Sequence, residues 1–283
     1  VRNSREAINV LHAPAPVELI ELKSVQQTRP SGRVSDKYKF IPTMQAVQVI
    51  QDMGWVPVSA LERGSRLDNK AGFQKHIIRF RESSSHLVPA VPGEIFVEII
   101  LINSHNGGAA FQIKLGLFRV ICCNGMAVSD CLFETIRVRH VGYQNVQIEN
   151  AVHQLTESTP RIAERIREFN DIELSPDERG MFVQQALKVR YGEEDFLKRN
   201  FMPEKVLEPR RKEDQRTDLF TTLNIVQEKL ITGKDPIEYK RDKFGIDRII
   251  KTKPIKSLDE NVRINQGLWQ LAEQVAAVRT MWN

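Results

Sequence analysis

Residues Glu98–Gly125 read EIILINSHNGGAAFQIKLGLFRVICCNG. Two apolar runs flank a polar, glycine-bearing turn and a second Asn-Gly closes the unit, which is the pattern of a β-hairpin with strands over about 94–103 and 110–122. Working outward, Trp55–Leu61 and Phe73–Glu82 read as strands separated by a polar turn, and Phe133–Val141 supplies one more. Tyr38–Ile41 reads as a short strand. Thr43 then stands where a side chain caps a helix, whose apolar positions Met44, Val47 and Ile50 follow helical spacing until Gly54. These elements predict an antiparallel sheet with hairpins and one early helix.

Beyond about residue 144 the apolar period changes from 2 to 3.6, and a mainly helical region is expected. A helix from roughly Asn145 carries Ile148, Val152, Leu155, Ile162, Ile166 and Phe169, with Pro160 expected to bend or break it. Ser175-Pro176-Asp177-Glu178 combines an N-cap, a first-position proline and a capping-box glutamate, and Gly192 lies past the end. A further helix spans about Asp218–Ile231 before Gly233, and Ser257-Leu258-Asp259-Glu260 opens a last one striped with Val262, Leu268, Trp269, Ala272, Val275 and Ala276. Pro203–Arg216 and Thr232–Lys256 read as linkers, the second a solvated basic connector. The fold class is α+β, organised as an extended arm over 1–36, a sheet domain over 37–143 and a helical region over 144–283.

The blocks that carry the strongest likeness to known sequences are the hairpin itself, Asp36-Lys37-Tyr38-Lys39-Phe40-Ile41-Pro42-Thr43, the run Pro209–Gly233, and Asn261–Ala277. Together they resemble the YfjQ/YafZ/YubP-like family of prophage and plasmid proteins over most of the chain. The resemblance implies a mobile-element context and brings no defined chemistry with it.

With 283 residues, 41% of them hydrophobic, the chain is long and apolar enough to bury a core. No run approaches the roughly 18 apolar residues of a membrane helix, and VRNSREAINV lacks a secretion-signal layout, so a cytoplasmic protein is expected. Cys122, Cys123 and Cys131 lack zinc-site spacing and read as reduced, buried thiols; no metal or cofactor is expected. The net charge of +5 is modest, but residues 63–140 hold ten Lys/Arg against six acids and so carry most of it.

Period-2 alternation places Lys75, Arg79 and Arg81 on one strand face with Phe73, and Arg137 and Arg139 form a second such pair. Cations that follow phosphates beside rings that stack bases are what a binder of single strands uses. The bland alternative is ordinary charge on a solvated sheet face. Arg210 and Arg211 are a second phosphate-clamp candidate, set against self-pairing with Glu213 and Asp214. Ser104 and His105 at the hairpin tip invite a hydrolytic reading, but no third carboxylate is identifiable and turn chemistry accounts for the Asn, Ser and Gly. His105 remains a ligand-contact candidate. Neither a phosphate-cradling lysine loop nor a dinucleotide glycine motif is present, and no catalytic residue is assigned.

The expected function is non-enzymatic: binding of single-stranded DNA by a phage- or plasmid-encoded homo-oligomer of the single-strand annealing kind, by analogy with proteins resembling the Rad52 core. The rival is an interaction protein of a mobile element that binds a host or phage protein for defence evasion or regulation.

Overall fold

The computed structural model describes residues 22–32, 34–36, 38–62, 72–83, 95–119, 126–127, 136–138, 145–255 and 257–282. Arg139, His140 and all three cysteines lie outside these residues. The chain is α+β and divides into two compact units, Val1–Thr159 and Pro160–Asn283.

In the first unit, α1 (Thr43–Asp52) is followed by β1 (Trp55–Glu62), β2 (His76–Glu82), β3 (Ile95–Asn103), β4 (Phe111–Arg119), β5 (Met126–Ala127) and β6 (Ile136–Val138). The strands form one antiparallel sheet in the order β1-β2-β3-β4, with β5 and β6 both pairing with β4. Pro57 fits because β1 is an edge strand and the register slips between Pro57 and Ser59. One sheet face carries His76, Ile78 and Phe80 of β2, Ile99 and Leu101 of β3, and Phe111, Ile113 and Leu115 of β4, all buried. The helix α1 packs on β1 and buries Ala46, Val47 and Ile50.

Two local expectations fail here for one reason. Tyr38–Ile41 forms no strand, because side chains take the place of a ladder: the Tyr38 hydroxyl donates to the Ser104 carbonyl at 2.9 Å and Asn103 Nδ2 donates to the Ile41 carbonyl at 3.2 Å. Thr43 does not cap α1 either; Pro42 is the N-cap, without a side-chain bond, and the Thr43 hydroxyl serves two histidines described below. The described part of the 1–36 arm is folded onto this region. Ser24 donates to Glu62 Oε2 from its amide at 3.2 Å and its hydroxyl at 2.8 Å, Val25 is buried, and the Ser31 amide donates to the His105 carbonyl at 2.8 Å.

The helix α2 (Val146–Asp171) begins in the first unit and continues through Pro160, so of the expected bend or break the break does not occur. The second unit continues with α3 (Pro176–Tyr191), α4 (Glu193–Leu197), β7 (Asn200–Phe201), α5 (Pro203–Leu207), α6 (Leu219–Thr232), β8 (Glu238–Arg241), β9 (Asp247–Ile250) and α7 (Leu258–Trp282). Ser175 and Glu178 form the expected capping box on α3. The centre is α6, whose residues Leu219–Ile231 are all buried and whose N-cap is Asp218, its Oδ1 accepting from the Thr221 amide at 2.8 Å. Polar groups on this buried helix are satisfied: Gln227 Nε2 donates to Asn265 Oδ1 at 2.9 Å, and Asn265 Nδ2 to Asn261 Oδ1 at 2.7 Å.

Arginines close two helix C-termini, where carbonyls lack intrahelical partners and favour positive charge. Arg190 donates to the Leu230 and Lys253 carbonyls, and Arg263 to those of Val189 and Arg190. Gly233 ends α6 at φ 62°, and a Cβ there would lie 2.6 Å from the Lys253 carbonyl carbon. The linker expected over Thr232–Lys256 is therefore pinned at Lys253, and its middle is a β-hairpin of β8 and β9 that joins β7 in a three-stranded sheet.

Candidate nucleic-acid interface

The cations of β2 sit on the sheet face opposite Ile78 and Phe80, as alternation requires, together with Glu98 of β3. Glu98 is fully buried and takes both arginines: Arg79 Nε donates to Oε2 at 2.6 Å, and Arg81 Nη2 to Oε1 at 2.7 Å. One carboxylate thus holds two guanidiniums, and Arg81 is itself buried. The sheet does not display Arg79 and Arg81 as a solvent-facing platform, because a charge this deep is stable only when paired. Lys75 is half-buried just before β2, and Phe73 is half-buried where its carbonyl accepts from the His105 amide at 3.0 Å. Arg137 stands opposite Gln112 in the β4–β6 register, and Arg139 lies outside the described residues.

Arg210 and Arg211 are also engaged internally. Arg211 reaches Glu228 of α6 at 2.6 Å and Asp214 at 3.2 Å; Arg210 reaches Glu228 at 3.2 Å and Asp235, which Lys229 Nζ also contacts at 3.0 Å. These ion pairs knit the entry and exit of α6 together.

His105 lies in the β3–β4 connection, as expected, but is buried. Ser104 and His105 turn inward while Gly107, Gly108 and Ala110 stay exposed; Gly107, at φ 74°, takes the left-handed conformation, and Asn106 Oδ1 and Ser104 Oγ accept from the amides of Gly108 and Ala109. The imidazole then lies 4.7 Å from the Phe40 ring and 5.2 Å from that of His76. Thr43 Oγ1 joins the cluster: it is 2.8 Å from His76 Nε2, 3.1 Å from His105 Nε2 and 3.0 Å from Asn103 Nδ2.

Hydrogen-bond inventory fixes the protons. His76 Nδ1 faces the Gln74 carbonyl at 3.1 Å, which only accepts, so Nδ1 carries the proton and the neutral ring accepts at Nε2. The Thr43 hydroxyl donates to that nitrogen, and its two lone pairs accept from Asn103 and from a protonated His105 Nε2. The hydroxyl thus bridges two histidines and an asparagine, and Thr43, His76, His105 and Asn103 are all buried.

Burial lowers the His76 pKa to about 4, against smaller raising effects of the Gln74 carbonyl and the Glu62 carboxylate. A histidine depressed in the folded state binds its proton first on unfolding. The stabilisation is complete above the unfolded value near 6.5 and is lost as pH falls from there to about 4. The difference in unfolding free energy between the wild type and His76→Gln should therefore shrink by about 3 kcal/mol from pH 7.5 to pH 4. Urea titrations across that range check this; a constant difference would show that the ring is not held neutral.

A further basic surface is the β8–β9 hairpin of the second unit. Tyr239 lies opposite Ile249 and Lys240 opposite Arg248 in the register. Phe244, Ile246 and Ile249 are 75%, 60% and 66% exposed. Asp242 and Asp247 are taken by Arg248 at 3.2 Å and Arg241 at 2.8 Å, while Lys240, Lys243 and Lys251 form no ion pair among the described residues. Lys243 instead lies 5.1 Å from the Phe244 ring centre. Lys240 and Arg248 are directly opposed across the ladder, and Asp242 beside Arg248 offsets their repulsion.

The chain matches the family described as a domain of unknown function, DUF932, over residues 30–269. The chain belongs to the DUF932 family. It is similar to the UPF0380 proteins YafZ and YfjQ of Escherichia coli K12, each 29% identical over 239 residues, or 84% of this chain and 82% of the relative. The resemblance read from the hairpin and the three other blocks is thereby borne out. No solved structure matches. Both the Thr43 cluster and the β8–β9 hairpin of this DUF932 chain fall within the matched residues. Among the described residues there is no group of His, Cys, Asp and Glu that could hold a metal, and no helix is long and apolar enough to cross a membrane.

This hairpin leaves little mark in the apolar pattern, because its strands, Glu238–Arg241 and Asp247–Ile250, are mostly charged. The available signal was Asp242-Lys243-Phe244-Gly245, an Asx-turn residue three positions before a glycine between two short segments of strand length.

Proposed function

We propose that this protein is a non-catalytic single-stranded DNA-binding protein whose contact surface is the β8–β9 hairpin of the second unit. The observation that carries the reading is the combination, on one short ribbon, of lysines outside any ion pair among the described residues with the exposed Phe244 ring and the half-buried Tyr239 ring. Lys240, Lys243 and Lys251 are placed to follow phosphates, and Tyr239 and Phe244 to stack on bases. The three lysines that form no ion pair among the described residues favour an anionic partner over a neutral one. This moves the binding surface from the sheet of the first unit, where Arg79 and Arg81 are held by Glu98.

Replacing Lys240, Lys243 and Lys251 together with Ala should leave the melting temperature unchanged, since Lys240, Lys243 and Lys251 are all exposed. Each phosphate contact contributes about 0.7 to the slope of log affinity against log salt for single strands, so the slope should fall by about 2. Fluorescence anisotropy of a labelled oligothymidine at several salt concentrations measures it. Wild-type protein that fails to bind, or a variant with the wild-type slope, removes the proposal; an oligonucleotide-blind hairpin that binds a protein would favour the rival reading.

A further inference from the structure

We propose that the tip of the β8–β9 hairpin is a wedge for the junction between duplex and single-stranded DNA, with Phe244 stacking on the last base pair. The inference rests on the reading of this hairpin as a DNA surface and adds which DNA it recognises.

The tip is built to hold its shape. Asp242 Oδ1 accepts from the amides of Phe244 at 2.8 Å and Ile246 at 3.0 Å, and Asp242 Oδ2 from Arg248 Nε at 3.2 Å. The Asp242 amide donates to the Ile246 carbonyl at 2.9 Å, and the Gly245 amide to the Asp242 carbonyl at 3.0 Å, with Gly245 at φ 79°. The same carboxylate that orders the turn is thus neutralised by an arginine from the strand behind it. Phe244 and Ile246 project from this fixed turn, and an aromatic ring left 75% exposed on a rigid scaffold is pre-organised for an apolar contact.

The arrangement of rings selects the ligand. A uniform single strand is best gripped by a row of rings that stack successive bases. Here one ring leads at the tip, flanked by an aliphatic side chain, with cations behind it on both strands: Lys240 on β8, and Arg248 on β9 followed by Lys251. A single apolar side chain advanced ahead of two cationic flanks matches the geometry by which proteins enter a base step, where unstacking is cheapest. At a fork the terminal pair already has one open face, and the two strands diverge past it, one toward each cationic flank.

The test uses the full chain and a forked duplex with 2-aminopurine in the pair nearest the fork, alongside oligothymidine of equal length. Wild type is expected to bind the fork at least fivefold more tightly than the oligothymidine and to change the 2-aminopurine emission. Phe244→Ala should lose the emission change and the preference while keeping its oligothymidine affinity within about threefold, and Phe244→Trp should restore both. Equal affinity for the two DNAs without an emission change, in a wild type that binds both, overturns the wedge and leaves the DNA-binding reading standing. Failure to bind either DNA overturns both.

Discussion

Thr43→Val should destabilise the first unit by about 3–5 kcal/mol, although it keeps the volume and the β-branch of the side chain. The hydroxyl is the common partner of His76 Nε2, His105 Nε2 and Asn103 Nδ2, and all four residues are buried. A methyl group in its place leaves an acceptor and two donors facing apolar carbon, each worth about 1–3 kcal/mol when unsatisfied. Asn103 retains the Ile41 carbonyl, so the total falls short of three full penalties. The variant should also lose protection of the Ser104 and His105 amides, because His105 anchors a loop whose backbone bonds to Phe73 and Ser31. Chemical denaturation and amide exchange measure the two effects; Thr43→Ser, which keeps the hydroxyl, should recover most of the loss. A valine variant as stable as wild type would show that the cluster tolerates unpaired groups and that the assigned protons are wrong.

The sheet was legible because alternation in Trp55–Glu62, His76–Glu82 and the 95–119 hairpin is a local property, set by one face turning to the core. Helix starts at Ser175 and Asp218 were legible for the same reason, since a cap and its partner lie within four residues. What escaped depends on residues distant in sequence. Alternation correctly put Arg79 and Arg81 on one face, yet whether that face meets water is decided by Glu98, which the register brings beside Arg81 from 17 positions away. His105 looks like a turn residue because Asn103-Ser104 and Asn106-Gly107-Gly108 surround it; its burial is imposed by Thr43, 62 positions earlier. For Arg210 and Arg211 the sequence neighbour Asp214 supplies one partner, while Glu228 and Asp235, distant in sequence, supply the others. The β8–β9 hairpin escaped for the opposite reason: its backbone pairing is local, while its side chains, turned to solvent, carry no burial pattern.

Ending the chain before Ser257 should abolish cooperative unfolding of the second unit and leave an aggregating protein. The apolar stripe on α7 is buried within that unit: Ile264, Leu268, Trp269, Ala272 and Ala276 are covered, and the Trp269 ring lies 5.1 Å from Phe169 of α2. Packing against α3 and α6 explains the tight spots, such as Gly267, where a Cβ would meet Val189 Cγ1 at 2.6 Å. Ile264, Leu268 and Trp269 alone contribute roughly 5–9 kcal/mol of burial, as large as the whole net stability of an ordinary domain at about 5–15 kcal/mol. Removal also takes away the Asn265 partner of buried Gln227, the Glu273 partner of Arg165 and the Arg263 cap on α3. The central helix α6 would then expose apolar surface that α7 now covers, so the loss spreads beyond the deleted segment. Were α7 instead a contact between subunits, truncation would give a smaller, soluble assembly with an unchanged melting temperature. Light scattering and thermal melts of the two chains separate these results, and a truncated protein that stays dispersed and melts as wild type does would show that the second unit holds together without its last helix.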